Sequence, residues 1–380
     1  MADTVPAKPH FPALDALRGV AALLVVAFHL LEVHATSHLD QLINHGYLAV
    51  DFFFLLSGFV IGYAYDERWN QMSLGEFCRR RLVRLQPMVV LGMLIGALAF
   101  YGQMNPQWPL IAQTSVGKLV LVTVLGCLLL PVPPALDVRG WQETFPLNGP
   151  GWSLFFEYVA NLLYAVVVRR FSRRALAVLV AVAAAALLHL TLTSPNGDVV
   201  GGWSLEPVQL RIGFTRVMFP FFGGLLLFRT VRPGRIPYGL LWSALLLVTL
   251  LALPRIGSAG QPWQNGLYEA GSILIGFPLV VYLGISHAQA SATVQRASRV
   301  LGELSYPLYM AHFPFVHLYF AWVHTHGLTL PQSAPVAAGV WLGTVALAYA
   351  CLKLYDEPVR AWLSQRVLRL ARPVSKAPGV

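Results

Sequence analysis

Two residues that a lipid bilayer disfavours stand eleven positions apart in one apolar stretch: Arg18 and His29 of FPALDALRGVAALLVVAFHL. On an α-helix, eleven steps of 100° return to within about 20° of the same face and advance about 16 Å along the axis. Ionisable side chains inside a membrane are rare and turn towards a bundle interior or an aqueous cavity. A histidine titrates near neutrality and suits the work of a general base on a hydroxyl proton. A plainer account pairs each with an acid one turn away, Arg18 with Asp15 and His29 with Glu32.

Further polar positions interrupt later apolar stretches. HGYLAVDFFFLLSGFVIGYAY places Asp51 among aromatics, as a structural partner for an arginine or as a participant in chemistry. The small Ser57-Gly58 pair in the same segment predicts close contact with another helix. EFCRRRLVRLQP sets Arg80 or Arg81 three or four residues from Arg84, hence on one face. That cluster reads as an orientation signal, an anchor for anionic lipid, or a phosphate site for guanidinium forks. GWSLFFEYVANLLY carries a lone Glu157, with Trp152 as an interfacial aromatic and Ser153 as a candidate helix cap. In LGELSYPLYMAHFPF, Pro307 and Pro314 are expected to distort a helix near Tyr306, Tyr309 and His312. YDEPVR, with Asp356, Glu357 and Arg360, reads as a helix terminus.

The elements that position these groups follow from composition. Of 380 residues, 56% are hydrophobic and 12% charged, about half the charge of an average soluble domain. The mean hydropathy is +0.61. Apolar segments lie at 12–34, 46–65, 86–101, 117–133, 151–168, 175–193, 211–228, 237–253, 267–286, 299–323 and 334–354. If all eleven crossed, the cluster Arg169, Arg170, Arg173 and Arg174 would lie outside, against the positive-inside rule. The segment 117–133 ends in the breakers Pro131, Pro133 and Pro134 and is the one expected to be re-entrant or interfacial. The chain thus reads as an all-α polytopic membrane protein with ten spans, forming one domain over 1–380 with short cytoplasmic tails. The first apolar stretch has no small-residue cleavage site after it and reads as a retained helix. In this topology 22 of the 27 Lys and Arg fall at or near the cytoplasmic face, the exceptions being Lys118, Arg139, Arg211, Arg216 and Arg255. The net charge of +10 is therefore a topology signal, not a nucleic-acid footprint. Cys78, Cys127 and Cys351 show neither metal-type spacing nor a disulfide set, and no metal is expected.

Six of these segments, in order, resemble the acyltransferase-3 family of membrane O-acyltransferases. They are L-D-x-L-R-G with the Arg–x10–His spacing (Asp15, Arg18, His29), V-D-F-F-F-x-x-S-G-F (Asp51 to Phe59) and F-x-x-R-R-x-x-R-x-x-P (Phe77, Arg80, Arg81, Arg84, Pro87). W-S-L-x-x-E (Trp152 to Glu157), L-G-x-x-S-Y-P-L-Y-x-x-H (Leu301 to His312) and E-P-x-R (Glu357 to Arg360) complete the series, which spans residues 14–360.

The resemblance implies a ten-helix enzyme of a bacterial cytoplasmic membrane, with both termini cytoplasmic. It implies transfer of an acyl group, often acetyl, from cytoplasmic acyl-CoA to a hydroxyl. Acceptors in such proteins include surface-polysaccharide sugars, peptidoglycan, lipid-linked glycans and macrolides. His29 is implied as the catalytic histidine, and Arg18 with Arg80, Arg81 and Arg84 as the acyl-CoA-binding set. Glu157 and Asp51 join His29 as catalytic candidates; Asp15, Ser57, Trp152, Ser153, Tyr306 and His312 are expected to support substrate or structure. Some relatives carry an additional C-terminal hydrolase-like domain, which this sequence is expected to lack. On the ten-span reading, His29, Glu32, Asp51 and Glu157 share the outer half of the membrane, as for an acceptor arriving from outside. A transient acyl-histidine stays open beside direct general-base catalysis. The expected partners are the lipid bilayer and a hydroxyl acceptor, not nucleic acid, and oligomerisation is left open. A flippase of lipid-linked sugar would use buried charges differently, as a relay or path. Thioester consumption separates the enzyme from it.

Overall fold

The computed structural model describes residues 11–37, 39–258, 260–287 and 291–368. The tail residues Arg369, Arg372 and Lys376 and the leading MADTVPAKPH lie outside the described residues. Among the described residues the protein is helical, with two isolated β-bridges and no strands. In chain order the helices are α1 Pro12–Glu32, α2 Ala49–Tyr65, α3 Leu74–Ala99, α4 Pro109–Gln113, α5 Val116–Cys127, α6 Gly151–Val166, α7 Arg173–Thr193 and α8 Pro207–Thr230. They continue as α9 Gly239–Ala252, α10 Pro262–Gly271, α11 Phe277–Ile285, α12 Ala292–Ala311, α13 Phe313–His326, α14 Leu330–Cys351 and α15 Glu357–Leu363. A π turn at Ser272–Gly276 joins α10 to α11, and another at Leu352–Asp356 joins α14 to α15.

Seven of these continuous helices are long and apolar enough to cross a membrane: Pro12–Glu32, Gly46–Tyr65, Leu74–Ala99, Arg173–Thr193, Pro207–Thr230, Pro262–Ile285 and Leu330–Val367. The other three expected spans fall short of that measure for different reasons. Helices α6 and α9 have 16 and 14 residues, fewer than the roughly 20 a bilayer core asks for. Helix α12 carries Arg296, Arg299 and Glu303 within its own length. Helix α5, expected not to cross, has 12 residues, about 18 Å of rise.

The loops sort by side. His45 binds the carbonyl of Leu253, Asn265 binds that of Gly197, and Thr144 donates its N–H to Trp203 O. At the opposite ends, Arg229 donates to the carbonyls of Phe171 and Arg169, and Ile236 N donates to Ser286 O. Each set joins loops that the ten-span reading puts on one side.

Several ends are built as the sequence indicates. Ser73, Ser172 and Ser291 accept an N–H from the first turn of α3, α7 and α12, and Thr329 closes a capping box on α14. The proline-rich stretch behaves differently from expectation. Helix α12 runs unbroken through Pro307, and the break falls at His312, because Pro314 in the first turn of α13 cannot continue the preceding ladder. YDEPVR is likewise not a terminus: Asp356 ends a π turn and the helix continues to Leu363.

Close packing of α2 on α8 depends on glycine. A Cβ on Gly58 would stand 1.7 Å from the carbonyl oxygen of Phe221, and one on Gly224 would stand 2.0 Å from that of Leu55. The Ser57-Gly58 pair therefore makes the close helix contact its residue types suggest, and Ser57 has a second task at the cavity.

Candidate functional site

Between α1, α2, α3, α6, α12 and the α14–α15 helix lies a cavity of about 520 Å³. Its charged lining includes Asp15 and Arg18 from α1, Arg81 and Arg84 from α3, Arg299 and Glu303 from α12, and Asp356 and Arg360 at and beyond the π turn. Ser57, Ser153, Glu157, Tyr306 and Tyr309 line it as well. The arginines gather because Arg81 and Arg84 are three residues apart on α3, and Arg18 follows Asp15 by three on α1.

The pairings inside the cavity fix its charge. Arg81 reaches Glu157 at 2.8 Å, and the same carboxylate oxygen accepts from Ser57 Oγ at 2.6 Å. Arg18 lies 3.8 Å from Asp15, a loose contact that leaves most donors of the guanidinium unused. Arg360 donates to Asp356 at 3.0 Å. Tyr306 donates to the carbonyl of Leu85 at 2.6 Å, and Ser153 and Tyr309 share a hydrogen bond of 2.6 Å. Ser153 Oγ also donates to Pro150 O; it bonds across the helix start and does not cap the helix.

The cavity leaves out Asp51, Arg80, Trp152, His29 and His312, which do not line it. Asp51 is fully buried, its two oxygens held by Arg216 Nε at 3.2 Å and Nη2 at 2.6 Å. Arg216 is the arginine partner that one of the two readings of Asp51 expects. Arg80 binds Glu76 at 2.6 Å and does not line the cavity. One residue of offset on a helix is 100° of rotation, which separates Arg80 from Arg81. Trp152 packs its ring 5.1 Å from the Arg216 guanidinium, away from the cavity. Glu157 is joined to Arg81 on α3 and to Ser57 on α2.

His29 carries its expected acid. Its Nδ1 lies 2.9 Å from Glu32 Oε2, a contact that in the neutral imidazole selects the tautomer with the hydrogen on Nδ1 and the lone pair on Nε2. Its ring lies 5.7 Å from that of His312, near parallel, and 5.0 Å from Phe313. His312 is buried at the break between α12 and α13, with Nδ1 3.0 Å from Leu308 O and a buried Nε2 that has no partner among the described residues. Tyr309, which lines the cavity, is 6.1 Å from His312. His29 therefore stands one ring layer beyond the cavity, behind Tyr309 and His312. Both plain pairings, Arg18–Asp15 and His29–Glu32, are present, and neither removes the capacity for chemistry.

Sequence reasoning missed Arg299, Asp356 and Arg360 as cavity residues, because in sequence they read as topology signals or a terminus. It also missed Glu269, fully buried in α10, which accepts from Tyr47 Oη, from Asn265 Nδ2 at 2.7 Å and from Val199 N at 2.8 Å. The signal was the one that exposed Glu157, a lone acid in an apolar helix. Outside the spans, the loop before α6 holds Arg139 over Trp108 at 4.5 Å and 3.4 Å from Glu143. Burial pushes the Glu143 carboxyl up to about 7 and brings Arg139 down to about 10.

A family model described as an acyltransferase domain matches residues 11–355. An acyltransferase of Streptomyces mycarofaciens, MdmB, is 26% identical over 396 residues, 98% of this chain and 96% of that protein. "Protein 2 in picA locus" of Rhizobium radiobacter is 37% identical over 162 residues, 41% of this chain and 81% of that protein. The O-acetyltransferase OatA of Staphylococcus aureus is 26% identical over 333 residues, 82% of this chain but 52% of its own length. No solved structure matches.

Proposed function

The chain belongs to the acyltransferase-3 family of acyl-transferring membrane enzymes, and from that premise we propose that it moves an acyl group, acetyl foremost, from cytoplasmic acyl-CoA to a hydroxyl of a carbohydrate or glycolipid acceptor. The observation that carries this reading is the single cavity that joins Arg18, Arg81 and Arg84 to Ser57, Glu157, Ser153 and Tyr309. Arginine forks match the phosphates of CoA, and the fit is supported by Arg84, which is exposed to the cavity and makes no hydrogen bond or ion pair among the described residues. The cavity then leads a pantetheine arm towards Tyr309, with His29 one ring layer beyond.

At that end His29 acts as the base. Glu32 holds Nδ1–H, and Nε2 accepts the proton of the acceptor hydroxyl as its oxygen attacks the thioester carbonyl. The carbon–sulfur bond breaks, and the proton passes from His29 to the departing thiolate. Arg81 and Ser57 hold and orient the Glu157 carboxylate, which makes Glu157 a positioning residue for the cavity.

The O-acetyltransferase name of the staphylococcal relative supports acetyl as the group moved. The three relatives are bacterial, which supports placement in a bacterial cytoplasmic membrane. The grouping of loops by side supports ten crossings with both termini on the cytoplasmic side. The test is thioester consumption by detergent-purified protein, read as thiol release from acetyl-CoA. His29→Ala should lower the rate by about 10²- to 10⁴-fold. A wild-type rate in that variant would sink the mechanism.

A further inference from the structure

A second recess lies apart from the cavity, between the loop before α6 and the loop before α8, both outside on the ten-span reading. It holds about 260 Å³, and its lining side chains are Trp141, Gln142, Trp203, Ser204, Glu206 and Gln209. Its frame is fixed. The Asp137 carboxylate accepts the N–H groups of Arg139, Gly140 and Gln142 at 2.9, 3.0 and 3.0 Å. Thr144 donates both its N–H and its hydroxyl to Trp203 O, at 2.7 and 2.9 Å, which ties one loop to the other. Gln142 is held at φ 53°, a left-handed conformation that a residue with a Cβ keeps only where its surroundings impose it. The recognition groups stay open: Trp141 is 48% exposed, and Gln142 and Glu206 are exposed. Neither indole N–H nor the Glu206 carboxylate has a partner among the described residues. Gln209 accepts Gly202 N–H through Oε1 at 2.7 Å, which leaves its amide nitrogen to donate. No Lys or Arg lines the recess, so its formal charge is that of Glu206. A run of ring contacts joins it to the base. Trp141 meets Trp108 at 5.3 Å, Trp108 meets His317 at 5.0 Å, His317 meets Phe313 at 4.4 Å, and Phe313 meets His29 at 5.0 Å.

We infer that this recess is a carbohydrate-binding subsite, which takes one neutral sugar ring of the acceptor at a distance from the hydroxyl that is acylated. The inference rests on the reading of the acceptor as a carbohydrate, and it gives that acceptor a place to dock outside the cavity. A sugar ring presents a face of C–H bonds and an edge of hydroxyls. The electron-rich face of an indole attracts the first, while amides, a carboxylate and indole N–H groups supply donors and acceptors to the second. The volume is below the roughly 300–1,000 Å³ of sites that enclose a drug-sized ligand, and it suits a single ring. An unpaired carboxylate with no cation beside it repels phosphate, uronate and anionic lipid headgroups, so the ligand it admits is neutral. Tryptophans of an aromatic belt face lipid, whereas these two share a recess with polar groups that a lipid chain leaves unsatisfied. The frame is fixed before binding, which spares the ordering cost of the loops.

The test measures binding of defined oligosaccharides to the purified full chain in zwitterionic nanodiscs. Neutral tetrasaccharides of glucose, galactose and N-acetylglucosamine are set beside uronate-containing ones. Wild type should bind at least one neutral member and prefer it to the uronate forms. Trp203→Ala should weaken that binding about tenfold or more, the size of a lost aromatic anchor, and Trp203→Phe should recover part of it. Glu206 is exposed and makes no cap bond to α8, so Glu206→Ala keeps the fold and should weaken binding about tenfold. Trp263→Ala, at an exposed tryptophan that does not line the recess, should match wild type. If Trp203→Ala and Glu206→Ala both bind within twofold of wild type, the subsite is overturned while the carbohydrate reading stands. A preference for the uronate forms also overturns it, because Glu206 would repel them. If wild type binds none of the oligosaccharides, the inference fails, and acyl transfer to a carbohydrate in the same preparation decides whether the wider reading fails with it.

Discussion

Arg80 and Arg81 are neighbours in sequence and opposites in the structure. Arg81 is buried and paired with Glu157, whereas Arg80 is a surface residue bound to Glu76. Arg81→Ala leaves the half-buried Glu157 carboxylate with only its Ser57 hydrogen bond and should destabilise the protein by about 1–3 kcal/mol. Arg80→Ala should stay within about 0.5 kcal/mol of wild type, since exposed pairs contribute little. Thermal unfolding in detergent separates the two, and equal effects would contradict the placement. Asp51 makes a similar prediction. Asp51→Asn leaves Arg216 buried without its counter-charge, so it should lower stability by several kcal/mol as well as any activity. Were Asp51 chemical and not structural, activity would fall with the melting temperature unchanged.

At the scale of elements, the site depends on how closely its helices approach. Gly58 lets α2 lie against the backbone of α8, which brings Ser57 to Glu157 on α6. Gly58→Ala puts a methyl group into the Phe221 carbonyl, so the helices must separate, at an overpacking cost of about 1–3 kcal/mol. Gly271, where an added Cβ meets nothing within 4 Å, is the control. Gly271→Ala should be neutral or slightly stabilising, because alanine loses less conformational freedom in a helix. Equal destabilisation by both would remove close approach as the reason for the glycine. The π turn at Leu352–Asp356 does comparable work. It re-aims the helix so that Asp356, Glu357 and Arg360 reach the cavity, where an uninterrupted α-helix would rotate them by the extra residue.

The molecule as a whole has a loop whose burial of Glu143 makes stability depend on pH, and a topology open to direct test. Glu143 has a folded-state pKa of about 7, above the ordinary carboxylate value of 4.5. The folded state therefore holds a proton that the unfolded chain releases near 4.5. Its contribution to stability is complete below that pH and is lost as pH rises through 7. The melting temperature should fall between pH 5 and pH 8, and Glu143→Gln should flatten that slope. An unchanged slope in the variant would place the titration elsewhere. For topology, a cysteine at Gln142, an exposed loop position, should react with a membrane-impermeant maleimide from outside intact cells. One at Ser172, in the arginine-flanked loop, should react only after lysis. The reverse pattern would invert the protein in its membrane.

Much of this protein is local and therefore readable along the chain. Low charge and recurrent apolar runs dictate a polytopic helical protein, because a bilayer admits backbone only when its hydrogen bonds are closed within the segment. The positions of Arg18, His29, Arg81, Arg84 and Glu157 stand out because each is an expensive residue in an apolar stretch. Helical spacing also foretells the pairs Arg18–Asp15 and His29–Glu32, since three residues make one turn. What local spacing does not contain is the rotation and register of one helix against another. That tertiary decision selected Arg81 over Arg80, sent Asp51 to Arg216 at a separation of 165 residues, and stacked His312 on His29. It also brought Arg299, Asp356 and Arg360 to a cavity whose other arginines lie more than 200 residues earlier. The residues that could do chemistry were set by the sequence; their neighbours were set by packing, because side chains on different helices meet only once close approach has fixed the angle between them.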